Sequence, residues 1–332
     1  MSALINLPYG GEAESSHDFL TNSVTDPAIG SGGPPGAATF LSVPPTNYAT
    51  TPKWPEAPVL WTHYWMEQQG LPFNPTTNDN HLDWLNGSGA VVARILVSGE
   101  TSFTFNFYTL QGGVLTFVDS VTLGTFSAGW FQFDVGITAG AGGSITLVVG
   151  GSLIWSHGGL NHSDFNGIAQ VRHRALGDNF GASATCGWCQ MFYAPYSTVG
   201  TVLYHFIPNT NSAVNTQWVG NVSNVNPVPT NDSQPLITPS PSQISTFYNN
   251  TQSVSGNILG VLGTSRMLVS AGGPPNIKIA QRVGGGNYFS PPIVAGPAYQ
   301  ACGYFWNQNP ATLSPYTSAQ IPTLEMGVES ST

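Results

Sequence analysis

From Val91 to Trp155 apolar residues fall on every second position, and a half-buried β-strand is what places such a series on one face. Phe103, Phe105 and Phe107 alternate with Thr104 and Asn106, and Phe131, Phe133 and Val135 alternate with Gln132 and Asp134. Ile145, Leu147 and Val149 repeat the pattern, while Leu115, Phe117, Val121 and Leu123 are read as sharing one face. Glycine-rich turns at 111–113 and 139–143 separate the runs. Strands that return about every ten residues between such turns predict an antiparallel sandwich or barrel. Asp119 interrupts an apolar face and is read as a strand end or bulge that turns it to solvent.

Of the 332 residues 41% are hydrophobic, enough for a core in one large or two moderate domains. Only 7% are Asp, Glu, Lys or Arg, against roughly a quarter in an ordinary soluble domain. A neutral polar surface with 9 Trp, 12 Tyr and 17 Phe suits a subunit buried against other copies, because interface cores are poor in charge and rich in aromatics. The net charge of −9 argues against direct nucleic-acid binding, which needs clustered Lys and Arg. Arg172, His173 and Arg174 form the one local basic spot, read as arginines paired with carboxylates or a neighbouring subunit. The N-terminus is not read as a secretory signal, and no apolar run reaches the ~18 residues of a membrane span.

Residues 1–50 combine Gly and Pro clusters with acidic Glu12, Glu14 and Asp18, and read as an extended arm that orders only against something else. Residues 51–208 predict a first β-barrel of about seven or eight strands. Within it Trp61–Gln69 reads as helical turns or a strand, and 156–180 as a loop dense in Gly, His, Asn and Asp. Residues 209–332 predict a second barrel that includes a long Asn/Pro-rich loop at 209–252. In its later part Ile277, Ile279, Gln281 and Val283 share a face opposite Lys278 and Arg282.

Chemistry is sparse. Cys186 and Cys189 form a C-x-x-C pair, but redox use needs a helix to follow, and the aromatic stretch that ends at Pro195 offers none. A zinc site would need a second pair, and the remaining cysteine is Cys302 alone, so structural thiols are the stronger reading. His157, His162, Asp164 and His173 are the best metal ligands by type. Their spacing matches no defined signature, so locally bonded loop histidines are the stronger reading, and neither metal nor cofactor is expected. Glu100, Asp119, Asp134 and Asp164 supply carboxylates, yet glycoside hydrolysis needs two at a set separation, which sequence does not show. Trp130, Trp188 and Trp218 are of the type that stacks on sugars if exposed, although core and interface packing explains most aromatics. No nucleophile elbow, phosphate loop or zincin motif occurs, and the chain is not expected to be an enzyme.

In overall style the chain resembles viral jelly-roll coat proteins, through segments such as Phe103–Phe107, Trp130–Val135 and Ser144–Val149. With its acidic arm it is most similar to the double jelly-roll major capsid proteins of icosahedral phages that carry an internal membrane. That resemblance implies an all-β chain with two jelly-roll barrels in tandem, or one jelly roll plus a projecting β domain. It implies trimeric capsomers in a virion shell, assembled in the host cytoplasm. The partners would be other copies, other virion proteins and a membrane beneath the shell. The competing class is carbohydrate recognition by a phage tail or spike, or by a surface lectin-like sandwich.

Overall fold

A computed structural model describes residues 5–7, 20–21, 41–43, 48–51, 53–69, 79–98, 102–124, 129–174, 185–200, 206, 208–225, 233–249, 254–297 and 299–332. Among these the structure is all-β. It divides into two compact units, the first ending at Leu203 and the second running from Tyr204 to Thr332, apart from a few N-terminal residues.

The strands of the first unit are β1 (Ile5–Leu7), β2 (Leu20–Thr21), β3 (Leu41–Val43), β4 (Tyr48–Thr50), β5 (Val59–Gln69), β6 (Asp79–Leu85) and β7 (Val91–Ser98). They continue as β8 (Thr104–Gln111), β9 (Val114–Thr122), β10 (Gly129–Thr138), β11 (Gly140–Val149), β12 (Ser152–His162), β13 (Gln170–Arg174) and β14 (Thr185–Ala194). Two seven-stranded sheets result. One runs β1-β14-β5-β10-β11-β12 with β3 also on β14, the other β2-β4-β13-β6-β7-β8-β9. All pairings are antiparallel. Glycines 112 and 113 (φ 61° and 78°) and 150 and 151 (φ 55° and 79°) make two-residue hairpin turns that need positive φ at both centres.

The alternation between 91 and 155 lines the space between the sheets. Phe103, Phe105, Phe107, Phe133, Val135, Ile145 and Leu147 are all buried in one core with Tyr64, Trp84 and Trp188. Each large side chain removed from water there contributes about 1.5–3 kcal/mol. Arm strands β1, β2 and β3 extend these sheets through backbone pairing with β14 and β4.

The second unit holds β15 (Pro208–Thr216), β16 (Ile244–Asn249), β17 (Val261–Met267), β18 (Asn276–Val283), β19 (Gly286–Phe289), β20 (Ile293–Val294), β21 (Gln300–Trp306) and β22 (Glu325–Ser331). A six-stranded sheet, β15-β16-β22-β18-β19 with β20 on β18, accompanies a two-stranded β17-β21 sheet. Ile277, Ile279, Gln281 and Val283 are buried as expected, and a smaller core gathers Met267, Trp306, Tyr316, Leu324 and Val328.

Three expectations change. The described strands of the second unit form one six-stranded and one two-stranded sheet, so the expected two jelly-roll barrels in tandem are not confirmed. Strands β15 and β16 occupy part of 209–252; where their pairing is interrupted between Asn211 and Thr216, Ser212 Oγ takes the backbone amides of Val214 and Asn215. Of the two readings of 61–69 the structure shows the strand, and the expected loop at 156–180 is strand at 156–162 and 170–174.

Candidate functional site

The core of the first unit contains a cluster of polar rings. The Tyr64 hydroxyl and His81 Nε2 are hydrogen-bonded at 3.0 Å, and the His173 ring bonds the Tyr193 hydroxyl. The Trp188 ring lies 4.7 Å from His81 and 4.6 Å from His173. Burial pushes His81 down to about 3, and burial with the neighbouring His81 pushes His173 well below the usual histidine range. Both rings are therefore neutral packing elements at neutral pH. With Trp188 fully enclosed, this cluster offers no surface to a ligand.

The four metal-type residues are not brought together. His173 sits in that core, while His162 Nδ1 lies 2.6 Å from the Thr138 carbonyl and its ring packs on Phe165. His157 lies 3.7 Å from Asp119, and Asp164 accepts a hydrogen bond from the Gly113 amide at 3.1 Å. No group of three such ligands that could hold a metal ion occurs among the described residues.

Cys186 and Cys189 lie on β14 with no helix after them, and Cys302 is buried in the second unit. Trp188, expected among the exposed tryptophans, is buried, whereas Trp130 and Trp218 are half-buried. Glu100 falls outside the described residues. Asp119 keeps the face of Phe107 and Val121 at the sandwich rim, where the Ser120 amide and Trp155 indole bond it and hold its carboxyl below the usual range. The Asp119 side chain is 46% exposed, and the adjacent bulge opposite Phe107 and Tyr108 turns Phe117 outward as well.

Two clusters were not legible in the sequence. On the side of the first sheet away from the core, Asp134 accepts hydrogen bonds from His63 Nδ1 and Thr198 Oγ1, each at 2.7 Å, and all three residues are buried. On the outer face of the second sheet, Asp83 is buried beneath three arginines. Arg94 donates to it through Nε at 2.6 Å and Nη2 at 3.3 Å, Arg174 through Nε at 2.7 Å, and Arg172 Nη1 lies 3.8 Å away. Arg172 and Arg174 also stack over the Tyr48 ring, 4.8 and 5.5 Å from its centroid. Strand alternation puts Arg172 and Arg174 on one face with His173 opposite, a signal present in the sequence; the partner Asp83 was not.

Among the described residues β9 and β12 are terminal strands of the two sheets; the Trp155 indole bonds Asp119 of β9 at 3.0 Å and stacks on Phe107 of β8 at 4.2 Å, which joins the sheets at one edge of the sandwich. That edge exposes Val114 (65%), Leu153 (66%) and Ile154 (43%). Strand β12 contains no Asp, Glu, Lys or Arg, and β9 only Asp119. Bulges against β11 bend β12, but no charge guards it.

No family model and no curated protein matches the chain. Solved structures similar to it include an endo-β-1,4-glucuronan lyase from Trichoderma reesei, with 10% identity and TM-score 0.44, over 58% of this chain and 95% of that one. Alginate lyase vAL-1 from Chlorella virus has 9% identity and TM-score 0.40, over 58% and 100%. The botulinum neurotoxin type G receptor-binding domain has 11% identity and TM-score 0.39, over 61% and 49%. Such likeness assigns no activity. It does correct the expectation that the chain is not an enzyme: polysaccharide lyases are among these neighbours. Catalytic groups on a sandwich can come from separate strands, so a missing contiguous motif excludes nothing. What is shown is an all-β, sandwich-like protein whose neighbours include lyase and receptor-binding β domains.

Proposed function

We propose that the protein is a structural subunit of a virion shell, self-assembling through the β9/β12 edge into trimers and larger capsomer arrays. The observation that carries this reading is that edge: two terminal strands, apolar side chains in water and almost no charge. A lone domain normally guards such an edge with Lys or Pro, because free strand donors and acceptors recruit other chains. A second copy suits it because the whole surface is as poor in charge, with 7% charged residues. Symmetry then repeats one modest contact around a particle. In this reading the large sandwich is the wall of the shell and the second unit is either a second barrel or a projecting β domain. Other virion proteins and an internal membrane are its remaining neighbours.

Light scattering and electron microscopy of the purified chain test this. Trimers or shells are expected at micromolar concentration, and Leu153→Lys with Ile154→Lys should return the protein to monomer. A wild-type monomer that stays monomeric across concentration and salt overturns it.

A further inference from the structure

We propose that the outer face of the second sheet binds an acidic sugar chain, with Arg94, Arg172 and Arg174 taking carboxylates and Tyr108 and Phe117 taking a ring face.

The residues form a row across the sheet. Register pairs Arg172 with Asp83, Asp83 with Arg94, Arg94 with Tyr108, and Tyr108 with Phe117. Directly paired residues point to the same side, so the row spans four inter-strand steps, ~19 Å at ~4.8 Å each. Tyr108 and Phe117 meet edge-on at 5.5 Å, and Phe117 is 51% exposed.

Charge there is out of balance. Three of the chain's 7 Lys and Arg residues converge on one carboxylate. Internal pairing requires one arginine fork for one carboxylate. Burial and the neighbouring Arg174 push the Arg172 guanidinium down, as expected of like charges gathered with too few counter-charges. Each guanidinium carries five N–H donors. Asp83 and Thr50 hold the Nε of all three arginines, and the bonds described here leave terminal nitrogens of each to a ligand. The side chains are 21–23% exposed and are fixed from beneath by Asp83 and, for two of them, Tyr48. Arginines held this way lose little freedom on binding and present the planar fork that fits carboxylate.

Among the described residues the three arginines less Asp83 sum to a local charge of about two, which suits a ligand with one or two carboxylates and falls short of the extended cationic surface a polyphosphate chain needs. An exposed aromatic face beside the arginines suits a ring with apolar C–H faces. The arginines lie on the third strand from the β9/β12 edge or beyond, but Phe117 stands on β9 itself, so binding is read on samples whose assembly state is measured in parallel.

Affinity electrophoresis of the full chain through native gels tests it, with polygalacturonate, its fully methyl-esterified form or poly-glutamate in the gel. Retardation by polygalacturonate alone is expected. Arg94→Gln should weaken it ~10-fold or more, the worth of a hydrogen bond to a charged group. Because Arg94→Gln also removes a partner of buried Asp83, Phe117→Ala is the second variant: it should weaken retardation with the melting temperature unchanged. No retardation by polygalacturonate, equal retardation by the ester or by poly-glutamate, or full retardation of both variants would each overturn the proposal. Light scattering of the same samples reads assembly separately.

Discussion

At one side of the sandwich the chain pairs its own N-terminal strands with β14 and β4; at the other, β9 and β12 end in solvent. Both edges began with the same problem, a row of unpaired backbone donors and acceptors. The arm answers it by ending that side in strands of only 3, 2 and 3 residues, too short to template another chain. Nothing described in this chain answers it at β9 and β12, where Leu153 and Ile154 stand in water. An edge ended in such short strands gives another chain little to pair with, whereas the long, apolar edge is the one proposed for assembly.

The largest expected effect falls on what both edges share. Phe105→Ala removes a fully buried ring from the common core and should cost about 3–5 kcal/mol, read as a lower melting temperature of the subunit. An assembly-competent variant with unchanged melting would contradict the core assignment.

Acid comes next. His81 and His173 are held neutral in the fold, with His81 lowered to about 3, whereas unfolded histidines take up protons near 6.5. Protons therefore bind the unfolded state first. Stability present above pH 6.5 should fall progressively as pH drops toward 3, and a melting series across that window measures it. A flat profile would place these rings in contact with water.

Hydrogen exchange sharpens the contrast between edges. Amides of β14 should be protected at any protein concentration, while outward amides of β12 should gain protection only as particles form. Protection of β12 in a proven monomer would mean that the chain covers its own second edge. The smallest effect on the fold is expected from Leu153→Lys with Ile154→Lys, about 0.5 kcal/mol or less at exposed positions, although assembly should be lost.

Much of the first sandwich was legible because its signal is local. Phe103, Phe105 and Phe107 declare their face by spacing alone, and the Gly pair at 112–113 declares its turn. Phe117 was assigned the wrong face because one bulge shifts the alternation, and no residue type marks a bulge. The histidines at 157, 162 and 173 looked like one loop cluster, yet strand geometry sends them to separate partners. His63 and Asp134 lie 71 positions apart and meet only because β5 pairs with β10.

The sequence by itself determined the β class, the inward faces of the main strands and the shortage of charge, since period and composition act residue by residue. Only the tertiary structure decided which edge stays open, which carboxylate lies under the arginines and which unit carries two full layers. Strand order sets those, and strand order follows from pairings between residues far apart in the chain, which no local pattern encodes.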